Sequence, residues 1–125
     1  MANQSTAAGN PTWRYYYNAT FPNLSPIPAI GAYHSSDLPL VFGTYPGDGA
    51  TAQDEALSQY MRDVWVSFAK NPLQGPGWNI VGRFDGTDLG VLGSFGASGV
   101  KVVDPQQTLL DARCGLYSGL YSFVG

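Results

Sequence analysis

The sequence predicts an α/β fold, on three observations. Thr12-Trp13-Arg14-Tyr15-Tyr16-Tyr17-Asn18-Ala19-Thr20-Phe21 is dense in aromatic and β-forming residues and reads as a strand. The segment after Thr51 repeats its apolar residues at helical spacing. Near the end of the chain, Val91–Phe95 and Val100–Val103 read as two short strands joined by Gly96-Ala97-Ser98-Gly99, a hairpin.

In chain order, residues 1–11 are mostly Asn, Ser, Thr, Ala and Gly and predict a flexible lead-in. The strand that follows is apolar over much of its length rather than alternating. That is the pattern of a central strand, paired on both edges and covered on both faces. Pro22 to Pro28 is a loop of Pro, Asn and Ser. It leads to Gly31-Ala32-Tyr33-His34-Ser35-Ser36-Asp37-Leu38-Pro39-Leu40-Val41-Phe42-Gly43, which holds the only histidine of the chain. Ser35 or Ser36 can cap a helix of about two turns, with Asp37 in the first turn where the helix dipole favours a carboxylate. Pro39 is tolerated in that turn. Leu38, Val41 and Phe42 form the apolar side, and Gly43 closes the segment.

Tyr45 to Ala50 is a turn. Thr51 then caps the main helix, with Asp54 and Glu55 in or near its first turn. Ala56, Leu57, Tyr60, Met61, Val64, Trp65 and Phe68 form a broad apolar stripe, which reads as a core face with no cofactor box. Asn71-Pro72 ends the helix. Leu73 to Gly90 reads as an irregular surface loop. After the hairpin, Asp104-Pro105 opens a short helix to about Cys114, and Leu116 to Val124 is again rich in Tyr, Phe and Leu.

Composition excludes several functions. The 125 residues suit one domain, able to bury roughly two thirds of its unfolded surface. Charged residues make up only 12% and aromatics 14%. A surface this poor in charge fits a secreted protein, or a piece whose faces are covered by more protein. A net charge of −3 with six scattered basic residues argues against nucleic-acid binding. No apolar run approaches the roughly 18 residues of a transmembrane helix. The first ten residues lack a charged and an apolar region, so this chain has no signal peptide of its own. Cys114 stands alone, which leaves no internal disulfide and no cysteine-based metal site. Asn3, Asn18 and Asn23 begin glycosylation sequons, whereas Asn10 fails because Pro11 follows it.

Two motifs fall away on inspection. Gly93-x-x-Gly96-x-x-Gly99 is followed by a β-type run where a phosphate loop needs a helix. Asp85-Gly86-Thr87-Asp88 lacks calcium-loop spacing and reads as a solvated turn. His34 has no second His or Cys as a metal partner. It remains the one side chain able to take and give a proton near neutral pH.

The thirteen residues from Gly31 to Gly43 match a known pattern, Gly-x-x-His-(Gly/Ser)-x-(Asp/Glu)-(Leu/Ile)-x-(aromatic or Leu)-(Val/Leu)-Phe-Gly. They resemble the region of the catalytic histidine in type-B carboxylesterases, the family of cholinesterases and fungal lipases and esterases. The aromatic strand Trp13 to Phe21 precedes this stretch as a late sheet strand does in the family. Leu57 to Ala69, ending Asn71-Pro72, is similar to the family's C-terminal amphipathic helix. Trp78 and Asp111-x-Arg113-Cys114 resemble the tails of fungal members. The resemblance covers most of residues 12–124.

It implies an α/β-hydrolase fold and ester hydrolysis by a Ser-His-acid triad in that chain order. His34 would take the proton of the serine hydroxyl and give it to the leaving alcohol. Tyr33, with Pro28 and Ile30, would line one wall of a substrate pocket. Yet no Gly-x-Ser-x-Gly occurs, no Asp or Glu precedes His34, and the oxyanion-hole glycines are absent. The expectation is therefore a C-terminal segment, residues 12–125, incomplete as a domain, carrying the histidine alone and inactive alone, with no cofactor. Its partners would be an ester substrate in the full-length relative, and the missing N-terminal part or further copies of itself. The full-length relative would be extracellular. Two rival readings stand beside this one: a small secreted binding module without catalysis, and one chain of a split esterase.

Overall fold

Thr51 sets the frame, because the helix it starts carries most of the packing. The computed structural model describes residues 2–25, 27, 29–82, 88–93, 95, 96, 99, 100 and 110. The main helix, labelled α3, runs Ala52–Lys70. Thr51 is extended, and its Oγ1 accepts from the Asp54 amide at 3.3 Å. The Asp54 carboxylate accepts in return from the Thr51 amide at 2.9 Å, a reciprocal capping box. Leu57, Ser58 and Met61 are buried, while Tyr60, Val64 and Trp65 are half-buried and Phe68 is at the margin of exposure. Of the predicted stripe, Leu57 and Met61 are therefore inward, Tyr60, Val64 and Trp65 are partly covered, and Ala56 is exposed.

A shorter helix lies on α3: α2, Leu38–Phe42, with Pro39 in its first turn and Gly43 left-handed at its end. The Ser58 hydroxyl donates to the Leu40 carbonyl at 2.7 Å and joins the two helices. That contact turns Leu40 inward. Leu38 and Phe42 are exposed, so of the predicted apolar side only Val41 packs on the core, beside Leu40, which spacing does not predict.

Of the predicted ten-residue strand, only Tyr15–Tyr17 (β1) forms a ladder. It pairs in parallel with β2, Gly90–Leu92, in the register Tyr15↔Gly90 and Tyr17↔Leu92. The predicted strand Val91–Phe95 is divided at Gly93, whose φ is +89°. Its first part joins β1 and its second becomes β3, Phe95–Gly96, antiparallel to β4, Gly99–Val100. The hairpin is present at Phe95–Gly96 and Gly99–Val100, the part of it that lies within the described residues. Of the expected helix to Cys114 only Leu110 is among the described residues, where it is helical; residues 101–109 and the tail 116–124 lie outside them.

An ion pair holds the start of the parallel pair. Arg14 Nη2 lies 3.7 Å from Asp88 Oδ1, and the Gly82 amide donates to Asp88 Oδ2 at 3.0 Å. Asp88 is buried rather than part of a solvated turn. A carboxylate can be buried at tolerable cost when a cation and an amide face it, as here. Trp78 lies against Gly90, where a Cβ would come within 2.7 Å of the indole.

The first eleven residues also differ from expectation, since Ala2–Ala7 forms a short helix, α1. Its alanines carry the highest helix propensity, and Gly9 at φ +83° terminates it, its amide donating a hydrogen bond to the Thr6 carbonyl at 2.9 Å. The core gathers Ala19, Phe21, Leu40, Leu57, Met61, Trp78 and Leu92. Among the described residues no helix is long and apolar enough to cross a membrane.

Candidate functional site

The loop 31–37 is fixed from within and from both sides. Gly31 is left-handed, which turns the chain into the loop. The Tyr33 amide donates to the buried Ser36 hydroxyl at 3.2 Å, and the Ser36 amide donates back to the Tyr33 carbonyl at 3.0 Å. Between them Ser35 stands at φ +68°, a conformation that costs a non-glycine residue roughly 1 kcal/mol or more. It is the one non-glycine residue with positive φ among those described. Beyond the loop, the Asp37 carbonyl accepts from Val41 at 3.0 Å and starts α2.

His34 is carried at the crest of this turn and is exposed. No hydrogen bond or ion pair engages its imidazole among the described residues. Both ring nitrogens are therefore uncommitted among the described residues, and a neutral imidazole offers one hydrogen-bond acceptor and one donor.

The two residues flanking the crest are tied to more distant parts of the fold. The Tyr33 hydroxyl donates to the Leu24 carbonyl at 2.7 Å. The Tyr15 hydroxyl donates to Asp37 Oδ2 at 3.2 Å, and the Tyr15 ring meets Trp65 edge-on at 5.1 Å between centroids. Burial and the neighbouring Asp37 carboxylate push the Tyr15 hydroxyl up from its ordinary pKa of 10.0. Burial first, then the charges of Asp37 and Asp54 and the nearby Tyr33, push Tyr17 up further. Both phenols thus stay protonated through neutral pH and can act as donors.

Two hollows lie near these residues. One of about 10 Å³ between Tyr17, Phe21, Leu24 and Tyr33 has room for about a single water. A larger cleft of about 200 Å³ lies between β1 and α3, walled by Trp13, Tyr15, Trp65, Phe68 and Trp78, and does not include His34.

The sequence-predicted site residues are therefore placed as follows. His34 and Tyr33 share the loop crest, with the Tyr33 hydroxyl committed to Leu24. Ile30 is exposed, and Pro28 is outside the described residues. Asn18 is exposed, whereas the Asn23 amide nitrogen donates to the Pro46 carbonyl at 3.1 Å. Asn3 belongs to α1, and nothing further is described of its side chain. Cys114 is outside the described residues. Among the described residues no cluster of three or more potential metal ligands occurs. Sequence reasoning missed the Tyr15–Asp37 bond and the role of Ser36. Asp37 carried a signal as a helix-start residue, but nothing local points to a tyrosine twenty-two positions upstream.

The loop, both of its tethers and α3 fall inside one family match. The model of the carboxylesterase family covers residues 1–84. Secreted lipase 5 of Gibberella zeae is 44% identical over 75 residues, which are 57% of this chain and 14% of that protein. Chlorogenic acid esterase of Aspergillus niger is 43% identical over 67 residues, 52% of this chain and 13% of that protein. The chain thus spans about one seventh of the length of these relatives. No solved structure matches.

Proposed function

This chain belongs to the carboxylesterase family, and from that membership we propose that His34 is the general base and acid of a serine carboxylesterase. The family's fold is the α/β-hydrolase fold. Residues 12–125 are read as a C-terminal segment of such a domain, and residues 1–11 as the stretch leading into it. The serine, the triad acid and the oxyanion donors come from polypeptide outside these 125 residues.

The observation that carries the proposal is the presentation of His34: an exposed imidazole on a loop braced by Ser36, with no partner of its own among the described residues. A histidine with this role needs one ring nitrogen for an acid and the other for a serine hydroxyl. Both are available here. The reaction would run as acyl transfer. The imidazole takes the hydroxyl proton as the serine oxygen bonds to the ester carbonyl, then returns it to the leaving alcohol. Water repeats the sequence to free the acid. Tyr33 would stand at the edge of the substrate site beside the imidazole. Alone, the imidazole lacks the nucleophile and oxyanion donors that supply most of the rate.

The test is complementation. The chain is assayed with a p-nitrophenyl ester, alone and co-expressed with the upstream part of a relative such as secreted lipase 5. The chain alone should release p-nitrophenol no faster than free imidazole, and the complemented pair should show an acyl-enzyme burst. A well-formed pair without ester hydrolysis, or a His34-dependent burst from the chain alone, would overturn the proposal.

The relative's name, secreted lipase 5, favours an extracellular setting. In that setting we expect Asn18 to carry the N-glycan. It is exposed just after β1, in Asn18-Ala19-Thr20, while the Asn23 amide is held by Pro46. Expression through a yeast secretory pathway should give a glycosidase-sensitive mass shift that Asn18→Gln removes and Asn23→Gln leaves intact. A shift that persists in Asn18→Gln would contradict this.

A further inference from the structure

We propose that Tyr15 is a positioning residue for His34, acting through Asp37. The proposal rests on the catalytic reading of His34 given above, but its first readout does not depend on that reading.

The starting point is an N-cap that does not cap. Asp37 occupies the cap position of α2, where a carboxylate ordinarily accepts from an amide of the first helical turn. It makes no such bond. Its Oδ2 instead accepts the Tyr15 hydroxyl at 3.2 Å, from a strand far back in the sequence. Forgoing a cap costs a helix about 1 kcal/mol, and α2 has only five residues to spread that loss over. The carboxylate is thus spent on fixing the end of the loop rather than the start of the helix.

The Tyr15 end of the bond is itself immobilised. Its backbone is in register with Gly90 in the parallel pair, and its ring is held edge-on to Trp65 of α3. Strand, helix and loop therefore meet at one phenol. Its hydroxyl also remains a donor well into the alkaline range, because burial and the Asp37 charge both oppose its ionisation.

The consequence for His34 follows from the chain. One residue before it, Tyr33 is tied to Leu24; three residues after it, Asp37 is tied to Tyr15. Ser35 between them occupies a left-handed conformation that persists only where the surroundings over-determine it. Releasing the Asp37 end would let Ser35 relax toward an ordinary conformation. That relaxation swings the imidazole away from its presented direction. A displacement on the scale of 1 Å is enough to cost up to about a hundredfold in a reaction that depends on alignment.

The experiment uses the full-length esterase carrying this segment, with Tyr15→Phe as the main variant. Phenylalanine keeps the ring on Trp65 and removes only the hydroxyl. Amide exchange of the peptide covering Tyr33 to Asp37 should accelerate roughly 5- to 10-fold, the scale of one lost hydrogen bond. kcat should fall roughly 10-fold with KM unchanged. Asp37→Asn, which still accepts the hydroxyl proton, should stay within about twofold of the parent in both readouts, and Asp37→Ala should match Tyr15→Phe. Unchanged exchange of this peptide in Tyr15→Phe overturns the proposal, as does an Asp37→Asn variant as impaired as Asp37→Ala. Faster exchange with kcat intact leaves a tether that does not position His34 and also overturns the proposal, whereas a His34→Ala variant within about 10-fold of the parent kcat overturns the catalytic reading instead.

Discussion

On the proposed reading of His34, His34→Ala in an esterase carrying this segment is expected to lower kcat by roughly 10⁴- to 10⁶-fold, with little change in KM. The size follows from the role. Without the imidazole the serine hydroxyl has no acceptor for its proton during attack, and the alkoxide leaving group has no donor. Binding contacts and oxyanion donors survive, so some catalysis over water remains. Stability should barely respond. The side chain is exposed and bonds to nothing else described, and surface replacements of this kind stay within about 0.5 kcal/mol. The combination is diagnostic: an inactive enzyme with a parental melting temperature. Burst amplitude with a p-nitrophenyl ester and the thermal midpoint are the two measurements. A loss of less than about 10-fold in kcat would remove His34 from the triad.

Gly93→Ala is expected to be the most damaging single methyl in the fold, costing about 2–5 kcal/mol as the sum of a steric and a conformational cost. The added Cβ would come within 2.6 Å of the Ala19 backbone nitrogen, which cannot swing aside as a side-chain tip can. The φ of +89° adds a penalty that an L-residue bears wherever space allows it or not. Ala19 lies in the core cluster, and the Asn18 amide donates to the Leu92 carbonyl at 2.8 Å, so a shift here opens the far end of the parallel pair. The urea midpoint of tryptophan fluorescence reports the loss, since Trp78 packs across Gly90 three residues away. A midpoint corresponding to less than about 1 kcal/mol would mean that the backbone relaxes freely at this turn.

What was legible in the sequence was local. The Thr51 cap, the Leu57–Met61 part of the α3 stripe, the Asn71 stop and the Gly43 closure are each written within a few residues, and each is present in the structure. The thirteen residues around His34 likewise carried the family by pattern alone, as the match over residues 1–84 bears out. Contacts between distant segments were not legible. Strand propensity runs from Thr12 to Phe21, but ladder length is set by the partner, and β2 offers three residues. Asp88 has the neighbours of a turn residue, and its burial is explained by the Gly82 amide and by Arg14, far upstream. Gly93 drew notice only as the first glycine of a rejected phosphate-loop pattern, not as the break in a strand. Its left-handed turn decides that Val91 and Leu92 pair with β1 while Phe95 joins a separate hairpin. The Tyr15–Asp37 bond belongs to the same class.

The parallel register of Tyr15 with Gly90 also sets an order of events in time. Residues 18–89 lie inside the loop which that pairing closes, and they include His34, α2 and all of α3. Closure of so long a loop must be met before its contacts repay it, so the pairing is a slow, late step relative to the capped helix α3. Until it happens, Tyr15 has no fixed strand from which to hold Asp37. A chain emerging from synthesis can therefore form its longest helix early, while the histidine reaches its presented geometry only after Gly90 to Leu92 have been made and docked. Truncations that stop before Gly90 should keep helicity and lose the ordered loop.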